Sequence, residues 1–131
     1  MSRKTIVITF IVLAAILSMG IFSNLQKRSQ IARLKNLPVN QIDLSTISDG
    51  TYKGSFCLKR FCYTVEVTMN SGRITDIILL SNSKSEYGEK AAAIKDRIIE
   101  AQSLQVDVLS GATISSKSII KAVEKALTEP E

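Results

Sequence analysis

Histidine is absent from this chain of 131 residues, and cysteine occurs only twice, at Cys57 and Cys62. Without histidine a Ser-His-Asp triad cannot be assembled, which excludes hydrolase chemistry of that type. With no histidine and no further cysteine, a zinc site lacks its usual ligands. There is no Walker-type phosphate loop, no internal repeat and no low-complexity tract. A basic face on a folded domain is missing too. The net charge is +5, yet residues 1–46 hold six Lys/Arg against one acid, whereas residues 47–131 hold eleven of each. The C-terminal part is neutral, so the composition offers no footprint for nucleic acid.

What the chain does have, near its start, is a long uncharged run. Thr5 to Ser23 is rich in Ile, Val, Leu and Ala and follows Arg3 and Lys4. Its 19 residues approach the ~20 of a bilayer crossing, so residues 1–23 read as N-terminal tail and membrane anchor. The run is longer than the ~7–15 apolar residues of a cleavable signal peptide, and the cleavage signal around Ser18-Met19-Gly20 is weak. We expect an uncleaved signal anchor, and no cysteine closes the span to take a lipid. Residues 24–47 read as juxtamembrane stalk and linker. Asn24 to Asn36 can prolong the membrane helix, and Pro38 disfavours a helical residue before it. Asp43 to Asp49 is Ser/Thr-rich and reads as a linker or a pairing edge. Lys27, Arg28, Arg33 and Lys35 place the excess positive charge beside the membrane, where it suits anionic headgroups.

Residues 48–131 are the part that can fold. Tyr52 to Cys57 and Phe61 to Met69 read as strands, the second alternating Tyr63, Val65, Val67 and Met69 with Thr64, Glu66 and Thr68. Asn70-Ser71-Gly72 signals a hairpin into a third strand, Arg73 to Leu80. After a loop at Ser81 to Ser85, one helix is expected over about Tyr87 to Ala101, with Ala91, Ile94, Ile98 and Ala101 on one face. A second is expected over about Ser115 to Leu127, with Ile119, Ile120, Val123 and Leu127 on one face. The order β-β-β-α-α predicts an α+β fold: an N-terminal transmembrane helix, then a small antiparallel sheet of three strands with two helices packed on it. A domain of about 80 residues has a thin core.

The connection before the last helix contains Asp107-Val108-Leu109-Ser110-Gly111-Ala112-Thr113, followed by Ile114-Ser115-Ser116. Helix N-termini present free N–H groups and partial positive charge, and so hold phosphates. Gly111 and Ala112 permit close backbone approach, and Ser110, Thr113, Ser115 and Ser116 supply hydroxyls. The plainer reading of the same residues is a Ser-capped helix start. The run Asp-x-x-Ser-Gly-Ala-Thr resembles the flavinylation motif of the FMN-binding domain family, which occurs in the RnfG and NqrC subunits of ion-pumping redox complexes and in small extracytoplasmic flavoproteins. Asp49-Gly50-Thr51-Tyr52-Lys53-Gly54 resembles that family's opening strand, and Ser71-Gly72-Arg73-Ile74-Thr75-Asp76-Ile77 its central hairpin. The likeness covers roughly residues 48–127, with Val108 where the family often has glycine or another small residue.

The resemblance implies covalent FMN, joined by a phosphoester to Thr113 and placed there by a flavin transferase. It implies that Asp107, Ser110, Gly111, Ala112 and Ser115 take part in the cofactor site, and that the loop Ser83-Lys84-Ser85-Glu86-Tyr87-Gly88 lies near the flavin, with Tyr87 against the ring. Other aromatic candidates for a wall against the ring are Tyr52, Phe56, Phe61 and Tyr63. Counting basic residues on each side of the span would leave the domain in the cytoplasm. The N-terminal tail is very short, however, and the resemblance points outside. The expected product is a single-pass membrane protein with an extracytoplasmic C-terminal domain. It would be an electron-transfer flavoprotein or redox subunit rather than a stand-alone enzyme, partnered by a membrane redox complex or a quinone-linked dehydrogenase. The alternative is a cofactor-free, membrane-tethered binding module of a larger complex. Cys57 and Cys62 flank Leu58-Lys59-Arg60-Phe61. Outside the cytoplasm a structural disulfide is preferred, with a redox-active pair and free thiols as alternatives.

Overall fold

A computed structural model describes residues 2–58, 60–81 and 84–131. Lys59 of the expected first hairpin loop, and Ser83 of the loop after the third strand, lie outside the described residues. The chain divides into two compact units, Met1–Asn36 and Leu37–Glu131.

The first unit is one helix, α1, over Arg3–Lys35. Its stretch Arg3–Leu25 is long and apolar enough to cross a membrane. Large apolar side chains between Ile6 and Leu25 are exposed. The helix carries on through the residues expected to form a stalk.

The second unit begins at Leu37, eleven residues before residue 48. The polar look of residues 37–47 hides regularly placed apolar residues. Leu44 is buried, and Val39, Ile42 and Ile47 pack against the core. Asp43 caps a 3₁₀ turn at Leu44–Thr46, accepting from the Ser45 hydroxyl at 2.6 Å and the Ser45 N–H at 3.0 Å. These bonds, the hydroxyl first, hold the Asp43 carboxyl below its ordinary range.

Three antiparallel strands follow in the order β1-β2-β3: β1 Gly50–Leu58, β2 Phe61–Asn70 and β3 Arg73–Leu79. β2 and β3 are joined by Ser71 and Gly72, whose φ values of 52° and 70° match a type I′ hairpin. Alternation along β2 buries Tyr63, Val65, Val67 and Met69 on one face. Their cross-strand neighbours on β1 are Phe56, Gly54, Tyr52 and Gly50. A bulge at Thr68/Met69 shifts the register so that Ile74 and Ile77 of β3 join the same face.

Three helices complete the unit: α2 Glu86–Ala91, α3 Ala93–Ala101 and α4 Thr113–Thr128. The single helix expected over Tyr87 to Ala101 is therefore two. At Ala92 the ladder drops to i→i−3 bonds, with Ala92 N–H to Glu89 O and Lys95 N–H to Ala92 O both 3.3 Å. The break redirects the chain so that Ala91, Ile94 and Ile98 all reach the core. α3 ends at Gln102, which is left-handed with φ 50°. Its amide pairs with the edge of β3, accepting from Ile74 N–H at 2.9 Å and donating to Ile74 O at 2.8 Å.

α4 lies on the core face of the sheet, and Ser115, Ser116, Ile119, Ile120, Ala122, Val123, Ala126 and Leu127 are buried along it. Gly54 makes this possible. A Cβ there would stand 2.3 Å from Ala126 N and 2.6 Å from Ala122 O, both backbone atoms. On its other side α4 holds the segment leading into the unit. Lys117 Nζ donates to Leu37 O (3.5 Å), Lys121 Nζ to Pro38 O (3.3 Å) and Asn40 Nδ2 to Glu124 Oε1 (2.8 Å). Glu124, only 5% exposed, also pairs with Lys121 at 2.8 Å. Because backbone cannot yield as a side chain does, Gly54→Ala should destabilise the unit by about 3 kcal/mol. Urea unfolding of wild type and variant measures it, and a loss below about 1 kcal/mol would mean that the helix–strand contact is not tight.

Candidate functional site

The chemistry-bearing motif occupies the turn that feeds α4. Leu109 to Ala112 form a β-turn closed by Ala112 N–H to Leu109 O at 3.1 Å. Gly111 takes the third position with φ 78°, as a type II turn requires. A Cβ at Gly111 would meet nothing within 4 Å, so its place in the turn is dictated by backbone conformation and the space around it is open.

The Ser-capped helix start is not what forms. The N-cap position is filled by Ala112, with φ −136° and ψ 35°, and no side chain caps the helix. The first helical bond is Ser116 N–H to Ala112 O at 2.8 Å. The N–H groups of Thr113, Ile114 and Ser115 therefore have no partner among the described residues. Thr113 is half-buried and its hydroxyl is likewise unengaged. Ser110 and Gly111 are exposed beside it, and Ala112 is buried. Ser115, 1% exposed, has a hydroxyl with no hydrogen-bond partner.

The loop leading into this turn is pinned by residues outside the motif. Arg97 Nη1 donates to Asp107 O at 3.0 Å, and Gln105 Nε2 to Val39 O at 2.7 Å. Ser116 Oγ accepts from Leu109 N–H at 3.4 Å. Val108 and Leu109 pack against the core, which gives Val108 a structural reason to be larger than glycine. The Asp107 carboxylate itself is exposed and has no partner among the described residues. It does not order the loop; its backbone does. Arg97 and Gln105 could not be found from sequence, since neither belongs to the motif and both act through distant carbonyls.

Asp107, Ser110, Gly111, Ala112, Thr113 and Ser115 thus run from the loop through the turn into the start of α4, whereas Tyr87 sits on α2. The residue is 42% exposed, and its ring stands edge-on to Phe61, with centroids 5.8 Å apart and planes at 83°. Tyr63 is a core residue at 2% exposure, and Tyr52 donates its hydroxyl to Ser48 O. One cleft in this unit, of 570 Å³, is lined by residues 41–45, Gly72, Arg73 and Gln102. Another, of 450 Å³, is lined by Arg97, Glu100, Ala101, Gln105, Val106 and Asp107 and so adjoins the motif loop.

An uncapped helix N-terminus with three free N–H groups, an open glycine turn and an orphaned hydroxyl is a fit for a phosphate. The family model for the FMN-binding domain matches residues 63–128, half of the sequence. The chain belongs to the FMN-binding domain family. It is 31% identical over 107 residues to an uncharacterized protein of Treponema pallidum (strain Nichols), covering 80% of this chain and 30% of that protein. It is 29% identical over 103 residues to the NADH:acrylate oxidoreductase of Vibrio harveyi, covering 77% and 10%. The chain thus spans less than a third of the length of these curated relatives.

Cys57 and Cys62, directly opposed in the β1–β2 register, are joined as a disulfide. Their neighbours Phe56 and Phe61 pack against the core, so by alternation the disulfide lies on the outer face of the sheet, away from α4. That position favours a clip over an electron relay. Replacing both with serine should lower stability by about 2 kcal/mol and leave flavin content unchanged. Loss of flavin from a variant that still folds would reverse that assignment.

Proposed function

We propose that this chain is a membrane-anchored, extracytoplasmic electron carrier holding FMN through a phosphoester to the Thr113 hydroxyl. FMN supplies the redox chemistry, exchanging one or two electrons, and the protein supplies position and surroundings. The observation that carries the reading is the free Thr113 hydroxyl at the first residue of an uncapped helix, within a domain of this family.

Each residue of the turn has a physical task. Thr113 Oγ1 is the point of attachment, exposed enough for a modifying enzyme to reach. The N–H groups of Thr113, Ile114 and Ser115 and the helix dipole favour the negative charge that a phosphodiester retains. Gly111 sets the turn, and Ser110 stands beside it as a further donor. Arg97 and Gln105 hold the loop, leaving the Asp107 carboxylate free for the flavin transferase that would install the group. Tyr87, exposed on α2, is the aromatic candidate for the ring. The membrane donor would be a redox complex or a quinone-linked dehydrogenase, and the acceptor another redox carrier. The relative named as an NADH:acrylate oxidoreductase supports a redox setting for this domain.

Intact mass under denaturing conditions tests the linkage, on protein from its native membrane. The expected result is an adduct of FMN less water, localised to the peptide containing Thr113 and abolished by Thr113→Ala. Unmodified native protein would remove the covalent reading. Protease added to intact cells or spheroplasts should digest the domain; protection until lysis would reverse the topology.

A further inference from the structure

The segment Leu37–Asn40 opens the second unit, has no helix or strand of its own, and precedes the residues that the family model matches. Its backbone carbonyls therefore need partners from elsewhere. Three successive ones find side chains. Lys117 Nζ donates to Leu37 O at 3.5 Å, Lys121 Nζ to Pro38 O at 3.3 Å and Gln105 Nε2 to Val39 O at 2.7 Å. Asn40 bonds in the other direction, donating from Nδ2 to Glu124 Oε1 at 2.8 Å. Lys117, Lys121 and Glu124 lie on α4, whereas Gln105 belongs to the loop that carries the motif, two residues before Asp107. The segment thus ties the motif loop to α4 from outside the motif.

This tie adds little stability. Gln105 and Asn40 are exposed, and a hydrogen bond within reach of water gains little over the water it replaces. Ordering long side chains such as lysine and glutamine costs rotamer freedom besides. What the tie supplies is position. Gln105 is fixed twice, its own N–H donating to Ser103 Oγ at 3.0 Å and its side-chain amide to Val39 O. Val39 packs its side chain against the core, which makes its carbonyl a fixed acceptor. Arg97 holds the same loop from α3, at Asp107 O. A loop held at both points spares an enzyme that recognises it the cost of ordering it.

We infer that Leu37–Asn40 is a positioning strap for the site of modification: seated on α4, it holds Gln105, and through it the motif loop, in the conformation that a flavin transferase recognises. The part played in flavin attachment rests on Thr113 as the acceptor; the hold of the strap on the loop does not. Asn40 is the discriminating position, because its side chain bonds to α4 and not to the loop.

The test uses the full chain in detergent as the substrate of a flavin transferase, with adduct formation followed by intact mass. Gln105→Ala and Asn40→Ala should each lower the initial rate at limiting chain concentration by roughly two- to tenfold. Their Tm should stay within about 4 °C of wild type. The double variant should be no slower than the slower single one, since both release the same tie. The Cys57→Ser/Cys62→Ser variant, which loses stability through its cross-strand clip, should keep the wild-type rate; a matching loss there would overturn the inference. A loss confined to one of the two strap positions, additive losses, or no loss at either would overturn it as well. If wild type gains no adduct, the Thr113 reading fails by itself, and amide hydrogen exchange decides the strap. Residues 106–112 should then exchange faster in Asn40→Ala than in wild type, and equal exchange would overturn the hold of the strap on the loop.

Discussion

The contact between Gly54 and the backbone of α4 sets the geometry on which the site depends. With Ala126 N and Ala122 O closer to the missing Cβ than any side chain permits, helix and strand meet at backbone distance. Both helix residues are alanines and the strand residue is glycine, so three small residues together fix the height of α4 above the sheet. Val65 lies opposite Gly54 on β2, and with it Tyr63 and Val67 fill the face along which α4 runs. A helix held this closely cannot roll without losing its apolar contacts, and so its first residue, Thr113, has a defined position.

The same helix is held from its other side by the chain entering the unit. Leu37, Pro38 and Asn40 follow α4 in order, meeting Lys117, Lys121 and Glu124. Glu124 is a buried charge, tolerable because Lys121 and Asn40 both reach it. In a small unit, where burial is limited, this supplements the apolar core. The disulfide does the same for the opposite, outer face, joining two adjacent strands.

Much of this was legible because it is local. The alternation of β2, the Ser71-Gly72 turn and the spacing of Ile119, Ile120, Val123 and Leu127 each specify an element within a few residues. The motif was legible for the same reason, being contiguous from Asp107 to Thr113. What was not legible depends on tertiary partners. Nothing in an alanine-rich run marks Ala92 as a break; the core below it does, by drawing in both Ala91 and Ile94. The residues before β1 look like a linker because their apolar members, Val39, Ile42, Leu44 and Ile47, are sparse, yet each finds the core. Arg97 and Gln105 fix the motif loop through backbone carbonyls, which no side-chain pattern encodes. The orphaned state of Ser115 is visible only once its burial is seen.

The exposure of the turn bears on why a covalent tether suits this domain. Ser110 and Gly111 are exposed and Thr113 is only half-buried. Ligands held without a covalent bond usually depend on burying most of their surface in a formed pocket. The cleft of 450 Å³ in this unit meets the motif only at its far end, Asp107. A helix N-terminus supplies direction and charge for a phosphate but little apolar area. The proposed phosphoester to Thr113 would remove the need for that area, letting a thin domain carry a large cofactor at its surface. Surface placement in turn suits electron exchange, which requires that a partner approach the ring and depart again. The rigid backing of α4 by Gly54 and the entering segment would then have a purpose, giving the proposed surface-borne group a fixed point of departure.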